Sequence, residues 1–141
     1  MTLKLTTVHL IVDDPDKALP FYRDLLGLKL IGDVSHEGLR WLTLSPPAQP
    51  DIQIVLSQPH AGRTKEDGDA IARLLAKGTL GGALFSSANL AETFETLRAS
   101  GADVVQEPTN QPWGVRDCAV RDPAGNLIRI SQAFPLRGNA G

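Results

Sequence analysis

The chain has 141 residues, 42% of them hydrophobic and 21% charged, as expected of one soluble domain or of two small halves sharing a core. Its formal net charge of -2 leaves no basic surplus, which argues against nucleic acid or an anionic membrane as partner. Cys118 is the only cysteine, which excludes an intrachain disulfide and a cysteine-pair metal site and fits a reducing, cytoplasmic setting.

The N-terminal run MTLKLTTVHLIV is too short to span a bilayer, lacks a cleavage-site pattern and gives way at once to Asp13-Asp14-Pro15. Its part from Leu5 to Val12 is apolar and β-branched, as in a strand. Asp14 then suits a helix N-cap and Pro15 the first helical turn. Ala18, Leu19, Tyr22, Leu25 and Leu26 follow at near-helical spacing, although Pro20 removes one helical hydrogen bond and predicts a bend. Gly27 fits the left-handed position after a helix. Three strands are expected next, over 28–34, 39–45 and 51–57.

Residues 59–80 read as a connection, a polar loop from Pro59 to Gly68 and then a short helix over 69–77 with Ile71, Leu74 and Leu75 on one face. The first pattern then repeats. An apolar stretch near 81–87 leads to Asn89 as N-cap and to a helix from Leu90 with Phe94 and Leu97 inward, which Gly101 ends. Strands are expected over 103–106, 115–121 and 126–132, with a strong turn signal in Asp122-Pro123-Ala124-Gly125-Asn126. The expected organisation is a first βαβββ module over 1–58, a connection over 59–80, a second module over 81–134 and a frayed tail over 135–141.

Two segments carry a likeness to a known family: VDDPDKALPFYRDLLGL in the first half and PWGVRDCAVRDPAGNLIRI in the second. In this order and at half-length spacing the chain resembles the glyoxalase/bleomycin-resistance/extradiol-dioxygenase (vicinal oxygen chelate) superfamily over about residues 5–134. The resemblance implies an α+β fold of two βαβββ modules whose curved sheets surround a cavity for a small molecule. It also implies, in many relatives, a divalent metal held by His, Gln or Glu at the opening and closing strands of each half. Aligned on helix starts and closing strands, those four positions hold Thr7, Val55, Gly82 and Arg129. Valine and glycine offer no donor, threonine is a poor one, and arginine is a fixed cation. No resident metal cofactor is therefore expected. A shift of register instead puts His9 and Gln53 on the first module's inner face, which supplies two ligands only.

Six residues stand out as ligand-binding candidates: His9, Trp41, Gln53, Trp113, Arg116 and Arg129. Trp113, between Pro112 and Gly114, offers a flat face for stacking or for closing a cavity. Trp41 shares a strand face with Thr43 and Ser45, away from Leu42 and Leu44. Arg116 with Asp117 suits either a polar ligand or a solvated ion pair. Arg129 is a charge on a strand that should be half buried, so it needs an anionic partner, either Asp117 or Glu107 or a bound ligand. Cys118 reads as structural, and His36 and His60 as loop residues exposed to solvent.

These residues favour a metal-free binder of a small aromatic or anionic molecule, of bleomycin-resistance type. A metal-dependent lyase, isomerase or extradiol dioxygenase of the same superfamily is the alternative, and a partner-binding protein with a vestigial cavity is another; no catalytic residue is assigned. Half-size curved sheets leave edges and apolar faces to cover, so a homodimer is expected.

Overall fold

The computed structural model describes residues 1–133, so the tail expected over 135–141 lies outside the described residues. These residues form two compact units, one of 1–80 with 123–126 and one of 81–122 with the residues from 127 on. The connection at 59–80 thus groups with the first module. Each unit has a four-stranded sheet with one face covered by helix, an α+β architecture.

The first unit opens with β1 (Thr7–Ile11) and α1 (Pro15–Leu19), then runs through β2 (Lys29–His36), β3 (Leu39–Ser45) and β4 (Gln53–Ser57). The sheet order is β1-β4-β3-β2, with β1 parallel to β4 and the other pairs antiparallel. Asp14 caps α1 as expected, its carboxylate accepting from the Asp16 amide at 3.0 Å. Pro20 marks the change from α1 to a π-helical segment, Pro20–Leu25, rather than a bend in one continuous helix. This helical stretch buries Ala18, Phe21 and Tyr22 on the face of the sheet that carries Leu10, Leu42, Leu44, Ile54 and Leu56. Gly27, with φ 78°, ends it in the left-handed region.

α2 (Lys65–Ala76) starts four residues earlier than the sequence predicts, because Thr64 accepts from the Asp67 amide and Glu66 and Asp67 fill the first turn. Gly68, expected in the loop, lies inside this helix. A Cβ there would lie 2.1 Å from Cδ2 of His60, so the imidazole packs where a side chain would stand. His60, expected to be exposed to solvent, is half-buried and bonded to Asp69 through Nε2 at 2.8 Å. The turn at 123–126 also belongs to this unit, where Asn126 donates from Nδ2 to the Ile11 carbonyl at 2.8 Å.

The second unit repeats the order: β5 (Ala83–Ser87), α3 (Leu90–Ala99), β6 (Asp103–Asn110), β7 (Arg116–Arg121) and β8 (Leu127–Gln132). Its sheet order is β5-β8-β7-β6. Asn89 caps α3 by accepting from the Glu92 amide at 3.1 Å. Leu90, Phe94 and Leu97 pack on the sheet face carrying Cys118, Val120, Ile128 and Ile130. β6 runs four residues beyond its predicted end. It is an edge strand, so the missing N–H of Pro108 breaks no ladder, and register shifts on either side of Gln106 absorb the extra residues. Among the described residues no helix is long and apolar enough to cross a membrane.

Candidate functional site

Strand alternation leaves each sheet with a second face that its own helix does not cover. In the first unit β1 pairs Thr7 with Gln53 and His9 with Val55, and β3 pairs Thr43 with Val55 and Trp41 with Ser57. His9, Gln53 and Trp41 therefore share the helix-free face, where the sequence brings together only His9 and Gln53. His9 is exposed, and Trp41 and Gln53 are half-buried. His9 and Gln53 are diagonal neighbours on adjacent strands.

In the second unit the helix-free face holds a polar network. Asp117 is almost wholly buried, its side chain 4% exposed, while that of Arg129 is 37% exposed. Arg129 Nη1 donates to Asp117 Oδ1 and to Gln106 Oε1, each at 3.4 Å. Gln111 Nε2 donates to the same two oxygens, at 2.8 Å to Asp117 and 3.0 Å to Gln106. The partner predicted for Arg129 is thus Asp117 and not Glu107. The hairpin brings them together: Ala119 pairs with Arg129 and Asp117 with Ser131, which makes Asp117 and Arg129 diagonal neighbours on one face.

Trp113 is 69% exposed in the turn between β6 and β7. That turn is closed by Gln111 N donating to Val115 O at 2.7 Å and Gly114 N to Gln111 O at 3.0 Å. Gln111, part of the network, therefore anchors the loop that presents Trp113.

Arg116 does not join this group. It lies on the opposite, helix-side face, where its Nη1 donates to Asn110 Oδ1 at 3.2 Å. There it lines a cleft of about 390 Å³ with Phe94, Glu107, Pro108 and Gln132. The amide of Leu90 at the mouth of α3 already donates to Gln132 Oε1 at 2.9 Å. Cys118, beside Asp117 in sequence, points to the helix side and is fully buried. Burial, and then the charge of Asp117, push its thiol pKa up, the opposite of an activated thiolate.

The four positions suggested for a divalent metal do not fit one. A Cβ on Gly82 would lie 1.7 Å from the Leu127 carbonyl oxygen, so the backbone forbids any side-chain donor there. Arg129 brings a positive charge already engaged with Asp117. Among the described residues no group of three or more His, Cys, Asp or Glu side chains is arranged to hold a metal ion.

The sequence reading missed Gln106 and Gln111, and left Asp117 and Glu107 as alternative partners of Arg129. Period-2 alternation separates Arg116 from Asp117, but the register that sets Asp117 beside Arg129 and the hairpin that returns Gln111 to both are not written in local pattern.

Two four-stranded sheets in these orders, each with its helix between first and second strand, define the vicinal oxygen chelate fold. The chain matches the Glyoxalase/Bleomycin resistance protein/Dioxygenase superfamily over residues 4–130, and it belongs to that superfamily. It is similar to the crystal structure of UcmS2, with TM-score 0.84 and 31% identity, covering 94% of this chain and 100% of that one. It is similar to TnmS3, an antibiotic binding protein from Streptomyces sp. CB03234, with TM-score 0.73 and 26% identity, covering 94% and 98% of the two chains. It is also 28% identical to the uncharacterized protein YurT of Bacillus subtilis over 92% of this chain and 99% of the relative.

Proposed function

We propose that this chain is a binding protein for a small, flat aromatic molecule, held on a helix-free sheet face without a resident divalent metal. The observation that carries the reading is the residue set at the four metal positions: Thr7, Val55, a Gly82 with no room for a side chain, and an Arg129 tied to Asp117. A binding role is consistent with the antibiotic-binding relative. Trp113 and Trp41 supply aromatic surface, and stacking on one of them is worth about 0.5–1.5 kcal/mol beyond burial. The expectation of an anionic ligand rested on an uncompensated Arg129; with Asp117 beside it, aromatic character is the better-supported half of that expectation.

The reading extends to a cytoplasmic homodimer. In each sheet the first and last strands of the order, β1 and β2 or β5 and β6, have one unpaired edge within their unit. Ile31, Val34, Leu84 and Val105 expose apolar surface on or beside those edges, as an association surface would. The lone, buried Cys118 is consistent with a reducing compartment, and the net charge of -2 with no nucleic-acid or membrane partner.

Two measurements test the core of the proposal. Elemental analysis of protein purified without chelator should find only trace zinc, iron, nickel and manganese. A stoichiometric metal that disappears in His9→Ala would overturn the metal-free reading. Titration with 9-fluorenone should quench tryptophan fluorescence saturably and more weakly in Trp113→Ala. Light scattering at several concentrations should give the dimer mass.

A further inference from the structure

We infer that Arg129 receives a neutral hydrogen-bond acceptor, the carbonyl oxygen of a flat aromatic ketone or quinone-like ring, with Asp117 as the residue that positions it. The inference rests on the binding reading above and names the ligand chemistry of the second sheet.

A guanidinium carries five donors in a fixed fork. Among the described residues only Nη1 is engaged, by two long bonds of 3.4 Å, to Asp117 and to Gln106. Nε and Nη2 make no hydrogen bond among the described residues, and more than a third of the side chain is open. The open edge of the fork is thus available, and the closed edge is fixed.

Asp117 does the fixing. Its carboxylate is buried, and its Oδ1 accepts from both Arg129 and Gln111. A carboxylate so placed holds the guanidinium plane and cancels its charge, so the pair presents donors with no net charge. An anionic ligand would bring a second negative group close to the buried Asp117 carboxylate and face its repulsion. A carbonyl oxygen accepts from the same donors without that repulsion. Gln111 links this chemistry to an aromatic surface, because it bonds Asp117 and Gln106 while closing the turn that carries Trp113. A planar ring system bearing a carbonyl matches both features.

Three probes of one shape separate the possibilities: fluorene, 9-fluorenone and 9-fluorenone-2-carboxylate, titrated into the full-length protein by calorimetry. The wild type should bind fluorenone about tenfold more tightly than fluorene, the loss expected for one hydrogen bond from a charged donor. The carboxylate should bind no better than the ketone. Arg129→Gln should bring fluorenone down to the level of fluorene, and Arg129→Lys, which keeps the charge but loses the fork, should do nearly the same. Asp117→Asn should release the positive charge and make the carboxylate the preferred probe by about tenfold. If that variant does not fold, the Arg129 variants decide the question alone. Equal binding of all three probes to the wild type would leave aromatic binding standing and overturn the role of Arg129. Preference of the wild type for the carboxylate would overturn the neutral-acceptor assignment. Failure of all three to bind would overturn the binding reading and this inference with it.

Discussion

In the first sheet Trp41 stands on β3 opposite Ser57, and at the matching rung of the second sheet Asp117 stands on β7 opposite Ser131. One rung along, Val55 lies between His9 and Thr43, whereas Arg129 lies between Leu84 and Ala119. Across from these, Gly32 of β2 corresponds to Gln106 of β6. The helix-free face of one unit is therefore aromatic and largely uncharged, and that of the other carries an ion pair of a buried carboxylate and a partly exposed arginine. Their helix-side faces are alike: Leu42, Leu44, Ile54 and Leu56 in one, Cys118, Val120, Ile128 and Ile130 in the other, all buried. Register is enforced by whichever face must be dry, because a slip of one residue would turn that whole set outward. The helix-side face thus preserves the topology and leaves the opposite face free to change its chemistry.

The largest effect is expected where one unit has Thr7 and the other has Gly82. Gly82→Val puts a side chain into the Leu127 carbonyl, and opening β5 from β8 should cost about 3 kcal/mol or more. Its counterpart at the start of β1, Thr7→Gly, should cost under about 1 kcal/mol. Urea unfolding of both variants measures the contrast, and equal losses would break the correspondence.

Next comes the ion pair that the first sheet lacks. Asp117→Leu leaves Arg129 without its carboxylate and should cost about 1–3 kcal/mol, toward the lower end because the arginine is partly solvated. Adding Arg129→Leu should recover part of the loss. A double-mutant cycle with no coupling between the two would show that the pair is incidental.

The helices offer a finer comparison. Asp14 and Asn89 cap matching helices, Asp14 by accepting from the amide two residues on and Asn89 from the amide three residues on, and one helix soon turns π-helical at Pro20 while the other stays regular. Alanine at either cap should lower stability by about 1 kcal/mol in chemical denaturation. A clearly smaller loss at Asp14 would mean that the π-helical segment is held by packing of Phe21 and Tyr22 rather than by its start.

The smallest effect concerns a half-buried arginine fork of the first unit. Arg40 donates to Asp33 through Nε at 2.9 Å and Nη2 at 2.8 Å, and also pairs with Asp16, tying β2 and β3 to the start of α1. The bonds to Arg40 hold the Asp33 carboxyl below its usual range. A lowered folded-state pKa contributes stability that is present above the unfolded value, near pH 4, and is lost as pH falls through the folded value. The small loss in Arg40→Met at about pH 7 should therefore shrink as pH falls below about 4. Acid titration of both proteins by circular dichroism checks it.

The sequence by itself determined the repeat, the helix starts at Asp14 and Asn89, the stops at Gly27 and Gly101, and which residues of each strand share a face. These depend on local rules: capping, left-handed glycine and period-2 alternation. The family came instead from the likeness of two segments, and only the strand register set Trp41 on one face with His9 and Gln53. Local rules did not extend to the early start of α2, which turns on Thr64 as cap and on His60 covering Gly68, nor to the length of β6, where Pro108 is harmless only because the strand is an edge. Tertiary structure alone decided that Gly82 has no room for a donor, that Arg116 faces away from Arg129, and that Asp117, Gln106 and Gln111 meet around that arginine. Each of these contacts joins residues on different strands or across a turn, and the register that brings them together is set by burying the opposite face of the sheet.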